Sequence, residues 1–226
     1  MITIPMVTEW NICTPDLFRF MNRQYVESFF ADGSLRLSSF ASFHAHSDEQ
    51  RLDQNEGRTF FVHRTQQNGG QTITAWATQG LDAYVLCASM RCEEALMRSF
   101  GCDSYLRITN STSFGMAVAR NIPGLVAAFE GPCLYQNNKI IERDLGYVDV
   151  SQIAKAGAPE AEIRKRFADM ILPKMKHYPL FLKDMSFAHQ AEYRFVWLVN
   201  SEPAKYLDIK VPEAVPFCAQ PNGLTI

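Results

Sequence analysis

No run of about 18 apolar residues occurs in the chain, so its sequence holds no membrane-spanning helix. The opening stretch, MITIPMVTEWNICTPD, has neither a basic start nor a sustained apolar core, and the reading is a cytoplasmic protein that is neither exported nor membrane-bound. An excess of one charge is missing too. Lys and Arg number 22 against 24 Asp and Glu, a formal net charge of −2, so no global cationic field is present to grip phosphate backbones over a large footprint. The six cysteines, at 13, 87, 92, 102, 133 and 218, form no CxxC pair and lack the dense spacing of a secreted disulfide scaffold. They read as reduced thiols of a cytosolic protein. Also absent are GxGxxG after a strand, GxxxxGK[ST], HExxH, GxSxG and an EF-hand loop, which removes the usual dinucleotide, P-loop, zincin, α/β-hydrolase and calcium readings at the motif level.

What is present is apolar material, 47% of 226 residues, enough for a sizeable core. LFRFM (Leu17–Met21) reads as a strand. NRQYVESFFADG follows as a helix that Asn22 caps and Gly33 ends. SLRLSSF alternates as a half-buried strand. After a polar, acidic loop, HAHSDEQRLDQNEG, the segments RTFFVHR and QTITAWAT flank QQNGG, a hairpin signal. DAYVLCASM is a strongly apolar strand, CEEALMRSFG a short helix with Gly101 at its end and Cys92 at its start, and YLRIT a strand. NSTSFGMAVARNIPG reads as a capped helix stopped by Pro123-Gly124, with the hydroxyls of Ser111, Thr112 and Ser113 as its N-caps. GPCLYQ and LGYVDV are strands, PEAEIRKRFADMIL is a helix closed by Pro173, and KYLDIKV is a late strand. No linker or repeat interrupts this succession, and several strand connections are too short for a crossover helix. The expected fold is therefore one α+β domain over residues 1–226, with mostly antiparallel twisted sheet flanked by short helices.

HQAEYRFVWLV, His189 to Val199, has the composition of a strand. On that reading Ala191, Tyr193, Phe195, Trp197 and Val199 share one face, while Gln190, Glu192 and Arg194 open the other, which turns apolar at Val196 and Leu198. A strand buried for folding alone has no need of these polar groups, and an unpaired buried charge costs several kcal/mol, so Glu192 must either pair or face a cleft. Two further polar side chains interrupt apolar strands: Arg19 in LFRFM and Ser89 in VLCASM.

The order Arg19, Ser89, then Gln190-Ala-Glu192 on a late strand resembles the arginine–serine–glutamate group of the ADP-ribosyltransferases, over three short segments. The strand–helix–strand opening with ADGSLRL is also similar to that family's start. The resemblance implies an ADP-ribosyltransferase-like fold and NAD as the substrate. It further implies that Arg19 pairs with the pyrophosphate, Ser89 orients the nicotinamide-side ribose, Glu192 is the catalytic carboxylate and Gln190 meets the acceptor. An aromatic stacked on nicotinamide would be Phe40 or Phe43. Cleavage of the nicotinamide–ribose bond develops oxocarbenium charge, which a carboxylate against that ribose stabilises. The literal Ser-Thr-Ser at 111–113 departs from the family by preceding a helical pattern.

A broader likeness covers most of the chain. FFADGSLRLSSF, CASM…LMRSFG, YLRI and LKDMSFAHQAEYRFVW resemble an uncharacterised bacterial family of small proteins whose last strands read Glu-x-Glu-Tyr-Arg and which is suspected of roles in phage defence. Gln190 stands where that pattern has its first glutamate.

The expected function is thus an NAD-dependent ADP-ribosyltransferase or NAD glycohydrolase, such as a toxin or phage–host conflict protein, acting on an unidentified protein or nucleic-acid acceptor. The alternative is a non-catalytic binding module for a protein or nucleotide. A third reading, metal-dependent hydrolysis, would need Asp48, Glu49, Asp53 and Glu56 to converge on a divalent ion. His44, His46, Asp48 and Glu49 read more simply as a solvated loop, and no metal site is assigned. Cys87 and Cys92 have no base that the sequence identifies and read as structural.

Overall fold

The structure is a computed structural model that describes residues 15–40, 42, 57–65, 70–144, 149, 151, 158–175 and 177–221. The chain begins with β1 (Leu17–Met21), α1 (Arg23–Asp32) and β2 (Ser34–Ser39). Asn22 is extended at the N-cap of α1, and Gly33 closes it in the left-handed region at φ 76°, its N–H donating to the Phe29 carbonyl. A Cβ at Gly33 would lie 2.3 Å from the Pro212 nitrogen, so close backbone approach as well as φ demands glycine there. The predicted hairpin is β3 (Arg58–Thr65) against β4 (Gln71–Thr78), in antiparallel register; most of its turn lies outside the described residues. Then come β5 (Ala83–Ser89), α2 (Glu94–Ser99), β6 (Ser104–Ile108), α3 (Ser111–Ala119), β7 (Leu125–Pro132), β8 (Leu134–Gln136) and β9 (Ile140–Arg143). The chain continues through α4 (Glu160–Met175), α5 (Tyr178–Phe181), β10 (Leu182–Asp184), a 3₁₀ turn over Met185–Gln190, β11 (Glu192–Val199), β12 (Tyr206–Lys210), a second 3₁₀ turn over Pro212–Phe217, and β13 (Cys218–Ala219).

Eight of these strands make one curled antiparallel sheet, and its middle strand is β5. On one edge β5 pairs along its length with β11, which in turn pairs with β7. The other edge forks. Its start pairs with β2 through Ser38–Val85 and Ser39–Tyr84, its end pairs with β1 through Phe18–Ser89, and Leu86, Cys87 and Ala88 lie between the two branches. One branch continues to β12, the other to β6 and β13. A separate three-stranded sheet has the order β4-β3-β9, and β8 pairs in parallel with β10.

Alternation sorts the side chains of the large sheet into two layers. Leu17, Leu35, Leu37, Leu86, Leu106, Tyr193, Phe195, Trp197 and Val199 form the main core with Phe29 of α1, Phe114 and Val118 of α3, and Val211 and Ala214. Phe114 meets Phe195 edge-on at 5.3 Å between ring centroids. The opposite face carries Val85, Val196 and Ala83 beneath Phe40 and Leu180, and at the β1–β6 end Phe20 and Tyr105 beneath Leu96 and Met97 of α2.

Five expectations are corrected. The strand predicted from His189 begins at Glu192, because Met185–Gln190 coils into a 3₁₀ turn and Ala191 adopts the left-handed region at φ 43°, ψ 50°. GPCLYQ divides at Cys133, where the chain leaves β7 in the large sheet for β8 in the small one and the Cys133 N–H donates to the Glu192 carbonyl at 2.8 Å. Pro173 does not close α4, which runs on to Met175; the proline forfeits one N–H bond to the preceding turn, and the helix ends only two residues later. The side-chain cap of α3 is Asn110, whose Oδ1 accepts from Ser113 N–H, while Thr112 instead bonds Glu130. Cys92 lies before α2 rather than at its first turn, and it is exposed. Most of LGYVDV and of the acidic loop lies outside the described residues. Among the described residues no helix is long and apolar enough to cross a membrane.

Candidate polar site at the sheet fork

Antiparallel register sets Glu192 directly opposite Ser89, and Ser89 directly opposite Phe18. Residues far apart in sequence thus meet on three neighbouring strands. The meeting is complete for Ser89 and Glu192, whose side chains share one face. It is not complete for Arg19. By alternation Arg19 belongs with Leu17 and Met21, on the opposite face from Phe18. Its guanidinium turns to the fork, where Nη1 donates to the Cys87 carbonyl at 2.8 Å.

Glu192 is an enclosed carboxylate, with 7% of its side chain exposed, held between two cations that are themselves buried. Lys183 Nζ from β10 donates to Oε2, and Arg194 Nε, two residues along the same strand face, donates to Oε1. Burial pushes the Glu192 carboxyl upward, but the charges of Arg194 and Lys183 and their hydrogen bonds outweigh it and hold the group well below the usual carboxylate range. The carboxylate is ionised and fixed. The Cys133 thiol stands 3.7 Å from Oε1, and the Glu192 N–H donates to the Tyr135 hydroxyl at 2.7 Å.

The surrounding groups are braced in turn. Gln190 is buried, and its Oε1 accepts from Lys183 Nζ at 2.7 Å, so one lysine joins the amide to the carboxylate. Ser89 Oγ donates to the Gln190 carbonyl at 2.8 Å and accepts from the Arg91 N–H at 3.0 Å. Arg194 Nη1 donates to the Leu180 carbonyl at 2.7 Å, and its guanidinium carbon lies 5.5 Å from the centre of the Phe40 ring. Phe40 is 1% exposed and packs beneath this cation, while Phe43 lies outside the described residues. The Lys183 ammonium lies 4.8 Å from the centre of the Phe187 ring.

Burial pushes the Cys87 thiol up to about 12, with the Glu192 charge adding to the shift. Cys133 is raised well above its ordinary value, again chiefly by burial. Tyr135 is raised to about 12 by burial, against the hydrogen bond from the Glu192 N–H. These groups stay protonated at neutral pH, so neither thiol is a ready nucleophile. Among the described residues no three His, Cys, Asp or Glu side chains gather to hold a metal; Asp48, Glu49, Asp53 and Glu56 lie outside those residues.

Lys183, Tyr135 and Cys133 are the members of this cluster that sequence reasoning missed. Lys183 had a signal of its own, a lone cation inside the apolar LFLKDMSF, the same kind of interruption that marked Arg19 and Ser89. Tyr135 had none, since its place beside Glu192 depends on the change of sheet at Cys133.

Fold and site together define an α+β protein with a curled antiparallel sheet and a buried Lys–Glu–Arg cluster on one of its faces. Comparison with protein-family models, with curated proteins and with solved structures returns no match.

Proposed function

We propose that the chain consumes NAD, as an ADP-ribosyltransferase or an NAD glycohydrolase, with Glu192 as the catalytic carboxylate. The observation that carries this reading is the register that makes Ser89 and Glu192 cross-strand partners beside the strand of Arg19. In the proposed reaction the bond between nicotinamide and its ribose breaks, nicotinamide leaves with the bonding pair, and the ribose gains oxocarbenium character. A carboxylate kept ionised by Arg194 would stabilise that charge as it forms. Ser89 would orient the ribose and Arg19 the pyrophosphate, Gln190 would meet the acceptor, and Phe40 or Phe43 would stack on nicotinamide. Water as acceptor makes the reaction hydrolysis, and a protein or nucleic acid makes it transfer.

A second reading, a non-catalytic binding module for a protein or nucleotide partner, rests on a different observation. Ser89, Gln190, Glu192 and Phe40 are all buried, and the polar groups among them are bonded within the protein. On this view the cluster is a structural polar core.

Incubation of the purified protein with NAD, following nicotinamide release and thermal shift, separates the two. The enzymatic reading expects release that falls by about a hundredfold or more in Glu192→Gln. Neither release nor shift from the wild type or from Lys183→Ala, which removes the lysine bonded to Glu192, together with recovery of a bound partner in pull-downs, would replace it with the binding reading.

A further inference from the structure

Glu192 cannot touch a ribose while Lys183 covers it, and the covering piece is built as a unit. The 3₁₀ turn Met185–Gln190 is braced from within: Asp184 Oδ1 accepts from the N–H and the hydroxyl of Ser186, at 2.9 and 2.7 Å, and His189 Nδ1 bonds the Ser186 carbonyl at 2.9 Å. Outwardly Met185, Ser186 and His189 are exposed. Inward it reaches the large sheet through a few polar ties: Lys183 to Glu192, the Ser89 hydroxyl to the Gln190 carbonyl, and the Met90 N–H to the Ala191 carbonyl at 2.9 Å. Its C-terminal hinge, Ala191, is a non-glycine residue in the left-handed region, a conformation that costs about 1 kcal/mol or more and that a swing of the turn to negative φ would relieve. On the other side β10 is only three residues long and pairs with β8, outside the large sheet.

We propose that Lys183 is an autoinhibitory latch: it holds Met185–Gln190 as a lid over Glu192, and its release opens the carboxylate to the NAD ribose. The latch rests on the NAD reading above. Lys183 itself takes no part in the chemistry; it occupies the oxygen of Glu192 that would face the ribose. The ammonium, with its own partner Gln190, swings out as one piece with the turn, and Arg194 stays behind to keep the carboxylate ionised.

The test compares the wild type, Lys183→Ala, Glu192→Gln and the double variant Lys183→Ala/Glu192→Gln. Amide hydrogen exchange over 185–191 is read beside the rate of nicotinamide release from NAD. Lys183→Met, which keeps the stem packed beside Phe187, replaces the alanine variant if that variant loses its cooperative melt. The expected result is faster exchange confined to 185–191 and nicotinamide release at least tenfold above wild type, abolished in the double variant. Release from Lys183→Ala equal to or below that of an active wild type, with Glu192→Gln inactive, overturns the latch and leaves the NAD reading standing. Absence of release from every variant, folded and exchanging as expected, overturns both.

Discussion

At the residue scale the dominant fact is one carboxylate between two buried cations. Its deletion leaves Lys183 and Arg194 buried without their common counter-charge, and such a change costs about 3–5 kcal/mol. Glu192→Gln should lower the denaturation midpoint accordingly, in urea at pH 7. The pH dependence follows from the sign of the shift. A carboxyl whose folded value lies below its unfolded value, about 4.3, contributes its full stability above that unfolded value and loses it as pH falls toward the folded one. The wild type should therefore lose stability below about pH 4.3 along a limb that flattens in Glu192→Gln, measured by urea titrations from pH 7 to pH 3. The thiols make a second prediction at this scale. Cys92 is exposed, whereas burial raises Cys87 and Cys133, so iodoacetamide at pH 7.5 should label Cys92 within minutes and spare the other two in the native state, as read by peptide mass spectrometry.

At the scale of elements, two glycines with similar positive φ separate conformational strain from steric exclusion. Gly33, at φ 76°, would press a Cβ against the backbone of Val211 and Pro212, whereas Gly101, at φ 64°, has nothing within 4 Å. Gly101→Ala should cost only the left-handed penalty, about 1–2 kcal/mol. Gly33→Ala should cost clearly more, because α1, β2 and the second 3₁₀ turn must part. Chemical denaturation of the two variants side by side checks the difference. The same comparison explains why LFRFM and the helix after it were readable: asparagine before a helix, glycine after it and alternation along a strand are local devices. The turn Met185–Gln190 was not readable: its last two residues, His189 and Gln190, were read into the strand that follows, and its coil is set by where β10 must leave β8 and β11 must meet β5.

Across the whole molecule the apolar load is unevenly divided. Phe195 sits at the centre of the main core, 5.3 Å from Phe114 and 5.9 Å from Trp197 between ring centroids, and against Gly115 of α3. Phe195→Ala should cost about 3–5 kcal/mol and lower the melting temperature markedly. Trp76 on β4 is 75% exposed, so Trp76→Ala should change stability by no more than about 0.5 kcal/mol. Differential scanning calorimetry of both variants reads the contrast. A shift for Trp76→Ala as large as that for Phe195→Ala would mean that the three-stranded sheet belongs to the same cooperative unit as the main core and that its outer face is covered in solution.

What the sequence determined by itself is the part that depends on neighbours along the chain: the strand of Leu17–Met21, the helix between Asn22 and Gly33, the hairpin of β3 and β4, and the two-faced character of the strand from Glu192 onward. Periods of 2 and 3.6 residues and the φ demands of glycine act over a few bonds, so local residues suffice to reveal them. Tertiary structure alone decided the fate of the polar positions. Alternation placed Arg19 on the face away from Glu192, the fork in β5 gave its guanidinium the Cys87 carbonyl, and the return of the chain through β8 and β10 brought Tyr135 and Lys183 to the carboxylate. Coulomb attraction and burial act through space, between groups whose separation no spacing along the chain encodes.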